Sequence, residues 1–209
     1  GSELQMASGL SNAIIDEFHI TSSLGRSMLM TCTFLGFAAG TFASGPLGDL
    51  YGRRIPMLCG YLGVVCTAAV TAFAPTVMCI YVLRFVLGVF GGVGIPTALI
   101  TISEVSPRRL RGMSTAALGV AYCLGDLWAA AGLWLVLPEL QGGPWRILLF
   151  WAVLPATLLI IFGLLSPVSR FDTPCFLEAK GRHAEAAEAV RLLAELNGRP
   201  DLALSVPRP

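Results

Sequence analysis

The sequence predicts an all-α integral membrane protein, and two observations support this fold class. First, 55% of the 209 residues are hydrophobic, only 13% are charged, and the mean hydropathy is +0.74, whereas a soluble chain has about 25% charged residues. Second, apolar stretches of the length that crosses the bilayer core, about 20 residues, recur along the chain. The alternative is an unusually apolar soluble domain. The composition excludes a disordered chain, and a net charge of +1 disfavours a nucleic-acid binder.

Five apolar stretches are predicted to be complete membrane spans. They are Ser27–Gly48, Pro56–Phe73, Val77–Thr101, Met113–Leu137 and Ile147–Ser166. Gly1–Ile15 is moderately apolar and is followed by the polar turn Asp16-Glu17-Phe18-His19. It is interpreted as the second half of a first helix whose beginning is absent, so we expect six crossings in a fragment of a longer chain or a divergent gene product.

Basic residues predict the orientation of these spans. Three alternate loops are rich in arginine and lysine: Arg53 and Arg54; Arg108, Arg109 and Arg111; Arg170, Lys180 and Arg182. The loops between them carry at most one basic residue each. Because an excess of lysine and arginine marks the cytoplasmic side, we expect the three basic loops to face the cytoplasm of a multi-pass membrane protein.

The region after the last span differs in character. Thr173-Pro174 has the signature of a helix start, and His183–Leu196 has apolar residues at helical spacing. The predicted apolar stripe consists of Ala187, Val190, Leu193 and Ala194. This helix is either a docking surface or a solvated linker. The predicted domains are a membrane bundle at 1–170, an amphipathic cytoplasmic segment at 171–198 and a flexible tail at 199–209.

The cysteines and histidines offer little material for metal or redox chemistry. Five of the six cysteines lie inside apolar runs, no Cys-x-x-Cys motif is present, and His19 and His183 are far apart. Free cysteines in apolar runs behave as small hydrophobic residues. No Gly-x-Ser-x-Gly or His-Glu-x-x-His motif is present either. We therefore expect no metal site, no cofactor and no enzymatic activity.

The stretch GPLGDLYGRR, which ends the first complete span, is the strongest local signal. Gly45 and Gly48 lie three apart on a helix, a spacing that permits close helix approach. Asp49 then reaches the membrane edge, where it can meet an arginine or a helix N-terminus. Gly52 permits a tight turn, and Arg53-Arg54 is suited to anchoring at lipid headgroups.

This stretch resembles the loop between helices two and three of the major facilitator superfamily, usually Gly-x-Leu-x-Asp-Arg-x-Gly-Arg-Arg. In that family the loop latches the two halves of a transporter together on the cytoplasmic side. The resemblance therefore implies a gating role for the matching residues here. Leu50 stands where the family usually has arginine, so one charge of that latch is missing.

A second match is Arg84-Phe-Val-Leu-Gly88, followed by Gly91, Gly92 and Gly94. An arginine in the middle of a span is energetically costly and indicates function. The alternative is that Arg84 extends to the membrane interface. The glycine run predicts that a neighbouring helix packs closely.

A third match, Ser103 to Gly112, resembles the superfamily pattern Glu-x-x-Pro-x-x-x-Arg-Gly. Glu104 is predicted at a helix end that Pro107 breaks, and Arg111 at the start of the next helix. This arrangement predicts a cytoplasmic charge network. Ion pairs that form in one state and break in another bias a two-state motion. The alternative is an ordinary helix-end ion pair that contributes little energy.

The end of the bundle provides the fourth match. Trp145-Arg146 and Pro155 resemble the start and the mid-helix proline of the family's sixth helix. The stretch Asp172–Arg182 resembles Glu-Ser-Pro-Arg-Phe-Leu…Lys-Gly-Arg. Here Asp172 replaces the glutamate and Cys175 the arginine, which weakens the expected charge network unless Arg170 substitutes.

Together the matches cover almost the whole chain, in order, and imply the six-helix N-terminal half of a major facilitator fold with a truncated first helix. The implied function is secondary active transport of a small organic solute by alternating access, coupled to a proton or another ion.

Asp126 is the first candidate for proton or substrate binding and Glu3 the second. Arg84 neutralises one of these carboxylates or holds an anionic substrate, or else forms a structural pair with Asp126. The implied partners are the lipid bilayer, a small-molecule substrate and the missing C-terminal half.

Three short stretches favour an organic ion as substrate. Glu3-Leu-Gln-Met, Leu124-Gly125-Asp126 and Leu-Ala-Glu-Leu-Asn-Gly resemble synaptic vesicle 2-related proteins and their organic-ion relatives. A sugar porter is the alternative, although such proteins carry a sugar-binding glutamine where Gly119 aligns. A different class also stays open, namely a truncated membrane protein that binds a partner and does not transport.

Overall fold

The computed structural model describes residues 10–11, 13–20, 22–107, 109–136, 145–165 and 172–196. Within these ranges all regular structure is helical. Residues 10–11 and 13–17 form α1. The helices that follow are α2 Ser23–Tyr51, α3 Arg54–Thr71, α4 Val77–Val105, α5 Arg111–Val136, α6 Trp145–Leu165, α7 Pro174–Ala179 and α8 His183–Leu196. The predictions on Glu3, the truncated helix start, Arg108, Arg170 and the tail 199–209 lie outside the described residues.

The five helices α2 to α6 are each long and apolar enough to cross a membrane. This confirms the five predicted spans. α2 and α4 have 29 residues each and extend beyond the predicted bounds. The extension of α2 brings Asp49, Leu50 and Tyr51 of the GPLGDLYGRR stretch into the helix, with Pro46 in its last turns and Gly52 directly after it.

The main core lies where α1 ends and where α2, α4 and α6 begin. Its largest fully buried side chains are Leu10, Ile14, Leu29, Ile80, Trp145, Leu148 and Leu149. Ala129 of α5 packs against the same cluster. Since lipid is as apolar as leucine, tight packing rather than removal from water favours these contacts inside a bilayer.

Four glycines bring the backbones of α2 and α4 into direct contact. A Cβ atom at Gly36 would overlap the carbonyl oxygen of Phe85, and one at Gly40 would overlap that of Val89. The same holds in reverse for Gly88 and Gly92 of α4, which face the carbonyls of Thr33 and Phe37. The glycine run after Arg84 thus permits the close helix packing that the sequence predicts, through glycines four residues apart on each helix.

The two short C-terminal helices form a hairpin around Leu177, Ala186 and Ala189. The helix start at Thr173-Pro174 and the bounds of α8 agree with the prediction. The predicted apolar stripe is wrong by one position, because Ala186 and Ala189 are buried while Val190 is exposed. In this hairpin Leu177 of the six-residue α7 packs against the small side chains of Ala186 and Ala189 on α8.

Candidate functional site

Arg84 is buried inside the bundle, with 3% of its surface exposed. It lies on α4, one turn before Gly88, where α4 contacts the backbone of α2. The guanidinium therefore lies among the helices rather than on the outer surface of the bundle. A buried guanidinium in a membrane span is energetically costly, and such residues face the protein interior for a functional or pairing reason.

Asp126 lies past the middle of α5 and is half-buried. Only 11% of the α5 span is buried, against 24–39% for the other four. Both Asp126 and Arg84 belong to the described residues, and none of the ion pairs found there joins them. Asp126 and Arg84 therefore do not form the structural pair that was the alternative, and the two charges lie at separate positions.

A group of charged and hydroxyl side chains gathers where α2, α4 and α7 meet the start of α3. This polar cluster consists of Asp49, Arg53, Glu104, Asp172 and Thr173. Arg53 pairs with Asp49 through Nη2 at 3.2 Å and with Glu104 through Nε at 3.3 Å. The Thr173 hydroxyl donates to the other Glu104 oxygen at 2.7 Å. The cluster therefore joins three membrane spans to the C-terminal hairpin.

Asp172 provides the N-terminal cap of α3 from a distant part of the chain. Its Oδ1 accepts hydrogen bonds from the backbone N–H groups of Arg53 at 2.8 Å, Arg54 at 3.2 Å and Thr173 at 3.1 Å. Free N–H groups and the helix dipole favour a carboxylate at a helix N-terminus. Gly52 has φ +90°, and a Cβ there would overlap the Asp172 carboxylate. Only glycine fits this turn without strain.

The sequence interpretation missed this role, because it treated Asp172 only as a weakened version of the family's glutamate. A signal for it was present. Position 53, just before α3, holds an arginine, whose side chain has no oxygen to accept hydrogen bonds from the first N–H groups. The acceptor had to come from elsewhere in the chain.

Other predicted latch residues are placed differently from expectation. A Cβ at Gly45 would meet nothing within 4 Å, and one at Gly48 would meet the side chain of Arg53 rather than another helix. Close helix approach occurs instead at the glycines earlier in α2. Arg111 begins α5 and is exposed. Within the described ranges it makes no ion pair with Glu104, because Glu104 faces Arg53 and Thr173.

A second polar group closes the opposite end of the bundle. The Trp145 indole donates to Glu17, and Arg146 pairs with the other Glu17 oxygen at 2.8 Å. The Nε of Arg146 also donates at 3.0 Å to the carbonyl of Ala72, which caps α3. A cation suits the C-terminal end of a helix. The sequence interpretation recognised Trp145-Arg146 but saw Glu17 only as part of a polar turn.

Five apolar spans, a buried arginine and a polar cluster at each end of the bundle define a multi-pass α-helical membrane protein. Its family follows from comparison with known proteins. The chain belongs to the family described as "Sugar (and other) transporter", whose model matches residues 6–206.

Individual relatives include both sugar and organic-ion transporters. The chain is 30% identical over 195 residues to the arabinose-proton symporter of Escherichia coli K12, covering 93% of this chain and 40% of that protein. It is 29% identical over 183 residues to organic cation/carnitine transporter 7 of Arabidopsis thaliana, covering 84% and 34%. The chain thus spans less than half the length of these relatives.

A solved structure shows the same fold. The xylose transporter XylE from E. coli, in a partially occluded inward-open conformation, matches with a TM-score of 0.72 at 18% identity. The match covers 98% of this chain and 53% of that one. The predicted fold class, the N-terminal half of a major facilitator fold, is confirmed.

Proposed function

We propose that this chain is the substrate-binding and gating half of a secondary active transporter that moves a small organic solute by alternating access. Membership of a transporter family supports the class, and no enzymatic step is part of the proposal. Because the chain spans about 40% of its sugar-symporter relatives, the proposal includes a second half as partner, within the lipid bilayer. In transporters of this fold the solute site lies near the membrane midplane between the halves.

The burial of Arg84 inside the bundle, two helical turns into the apolar span α4, is the observation that carries this proposal. A fixed positive charge there can hold an anionic solute or balance a carboxylate that changes protonation. Asp126, half-buried on the least enclosed span, is the proposed proton or substrate-charge carrier. Glu3 is a second carboxylate candidate from the sequence.

An organic ion is the proposed solute, since both intramembrane groups carry charge. A sugar is the second candidate, because arabinose-proton and galactose-proton symporters of E. coli are among the relatives, at 30% and 29% identity. As a glycine, position 119 has no side chain that could bind a sugar hydroxyl, and the space around it is open. A membrane protein that binds a partner and does not transport is the third candidate.

We further propose the orientation and the gate. The basic loops face the cytoplasm, as their lysine and arginine content predicts, and the polar cluster then lies at the cytoplasmic end. Its contacts form in one transport state and break in the other. The gating residues proposed from the sequence are Gly45, Asp49, Gly52, Arg53, Arg54, Glu104 and Arg111. The domain division remains the bundle 1–170, the cytoplasmic segment 171–198 and the tail 199–209.

Uptake into proteoliposomes tests the proposal. The full-length protein is supplied with tetraethylammonium, para-aminohippurate or xylose under an imposed pH gradient. We expect uptake of one organic ion, and we expect Asp126→Asn to abolish its dependence on the pH gradient. The matched control is Glu188→Gln, which removes an exposed carboxylate on α8.

Each alternative has its own result. Uptake of xylose alone favours the sugar porter. Unchanged coupling in Asp126→Asn excludes the role of Asp126. Absence of uptake by correctly folded protein supports the non-transporting alternative.

A further inference from the structure

Two tryptophans form a reciprocal contact between α5 and α6. The indole Nε1 of Trp128 donates to the backbone carbonyl of Trp151 at 3.0 Å, and the indole of Trp151 donates to the carbonyl of Trp128 at 3.1 Å. Their rings are stacked with centroids 4.4 Å apart and an interplanar angle of 9°. Two hydrogen bonds in opposite directions and one stacked ring pair permit a single rotational setting of the two helices.

Pro155 explains why the Trp151 carbonyl is available. In an α-helix this carbonyl accepts from the N–H four residues later, and proline has no N–H to donate. Pro155 lies inside α6, four residues after Trp151. In a membrane span a carbonyl freed by proline needs a donor from its surroundings, and here the Trp128 indole supplies it from the neighbouring helix.

Trp128 of this pair lies two residues after Asp126 on α5. With 3.6 residues per turn, positions 126 and 128 point in directions about 160° apart. Since Trp128 contacts α6, Asp126 points away from α6. Among the described helices α5 is also the least buried span, so within this half of the fold few other contacts oppose its rotation about its own axis.

We propose that Trp128 and Trp151 are positioning residues that set the rotation of α5 and thereby the direction in which the Asp126 carboxylate points. This inference rests on the proposed function of Asp126 in binding a proton or solute charge. A simpler explanation is that the Trp128 indole only satisfies the carbonyl freed by Pro155. The two explanations predict different directions for Asp126 in a variant where α6 itself supplies the donor to the Trp151 carbonyl and the Trp128 indole is absent.

The first measurement tests the pair itself. Stacked indoles produce an exciton couplet in the far-ultraviolet circular dichroism spectrum. We expect the couplet in the full-length protein in nanodiscs and its loss in Trp128→Phe and in Trp151→Phe. The matched control is Trp134→Phe on the same helix, where the side chain is 76% exposed and the couplet should remain. A protein without the couplet would overturn the proposal.

The second measurement reports the direction of Asp126. A lipid-soluble carbodiimide labels the carboxylate, and peptide mass spectrometry gives the rate, with Asp126→Asn as the blank. Loss of the pair lets α5 rotate a half-buried carboxylate toward lipid. We expect Trp128→Phe to raise the rate at least about threefold, the equilibrium factor for one intramembrane hydrogen bond. Trp134→Phe should leave the rate unchanged.

The double variant Trp128→Phe/Pro155→Ala separates the two explanations. The substitution at position 155 supplies a backbone N–H to the Trp151 carbonyl within α6, but no contact to α5. We expect thermal stability to recover while the raised labelling rate persists. A return of the rate to that of the parent would show that the indole only satisfies the carbonyl. An unchanged or slower rate in Trp128→Phe would also overturn the proposal.

If Trp128→Phe does not fold, Pro155→Ala alone provides the test. Its backbone N–H competes with the indole while both tryptophans remain, and we expect faster labelling with a weakened couplet. An unchanged rate beside a weakened couplet would contradict the proposal. Labelling requires no transport, so a failure of the proposed function, seen as normal coupling in Asp126→Asn, is distinguishable from a failure of this inference.

Discussion

The interface between α2 and α4 is built from backbone against backbone, whereas the polar cluster at one end of the same helices is built from charges and hydrogen bonds. In the interface, glycines at positions 36, 40, 88 and 92 each face a carbonyl oxygen of the other helix. In the cluster, the Arg53 guanidinium forms ion pairs with both Asp49 and Glu104, and the Asp172 carboxylate caps the N-terminus of α3.

The two regions should respond differently when the helices move during transport. A backbone contact that leaves no room for a Cβ fits in one arrangement only, because packed interfaces are not continuously deformable. Ion pairs and caps can be replaced by water or by other partners at a cost of about 1 kcal/mol each. We therefore expect α2 and α4 to move as one rigid unit, while the polar cluster is where contacts are exchanged.

The largest expected effect comes from breaking the rigid region. Gly92→Ala places a methyl group against the Phe37 carbonyl and should destabilise the protein by about 1–3 kcal/mol, the usual cost of overpacking. Gly91→Ala is the matched control, since its Cβ would lie 3.8 Å from the Phe37 ring. Thermal unfolding in detergent measures both. Equal melting temperatures for the two variants would contradict the backbone contact.

A smaller effect is expected at the cap of α3. Asp172→Ala removes the acceptor for the amides of Arg53 and Arg54 and should cost about 1–2 kcal/mol. Asp172→Asn keeps an acceptor oxygen and should lose less. Hydrogen exchange at the first turn of α3 should accelerate in the alanine variant. Unchanged exchange there would show that the cap does not hold this turn.

The pair of Arg53 and Glu104 tests the exchangeable region by a double-mutant cycle. Both side chains are largely buried, with 16% and 22% exposed. We expect a coupling energy of about 0.5–1 kcal/mol between Arg53→Gln and Glu104→Gln, from thermal unfolding of all four proteins. Strictly additive effects would mean that the two residues do not interact energetically.

The smallest expected effect is at Asp49. Its side chain is 73% exposed and pairs with Arg53 one helical turn later. Exposed pairs of this spacing contribute about 0.2–0.5 kcal/mol. Asp49→Asn should therefore change the melting temperature less than Asp172→Ala does. A larger loss than in Asp172→Ala would reverse the order of importance within the cluster.

The sequence predicted what depends on local composition, and it missed what depends on contacts between distant segments. Apolar length predicted the five spans, and the isolated charge at Arg84 predicted a special residue within one of them. It did not predict that Asp172 caps α3 or that Glu17 pairs with Arg146. Asp172 lies 119 residues after Arg53 and Glu17 lies 129 residues before Arg146, and no periodicity links such positions.

Within the described residues, the close helix approach of α2 lies at glycines other than Gly45. Small residues at helical spacing occur twice in α2, and composition alone does not tell which set faces another helix. The interface formed at Gly36 and Gly40 because α4 presents Gly88 and Gly92 opposite them. Complementary spacing on two helices is a stronger signal than a glycine motif on one.

Hydrogen exchange of the full-length protein in nanodiscs tests most directly the claim that one region is rigid while the other exchanges its contacts. Exchange is compared with and without a saturating amount of the solute that gives the largest uptake. We predict changed exchange in peptides covering residues 49–57 and 172–178, and unchanged exchange in peptides covering 33–41 and 85–92. Changes in the second pair of peptides, with none in the first, would contradict the account.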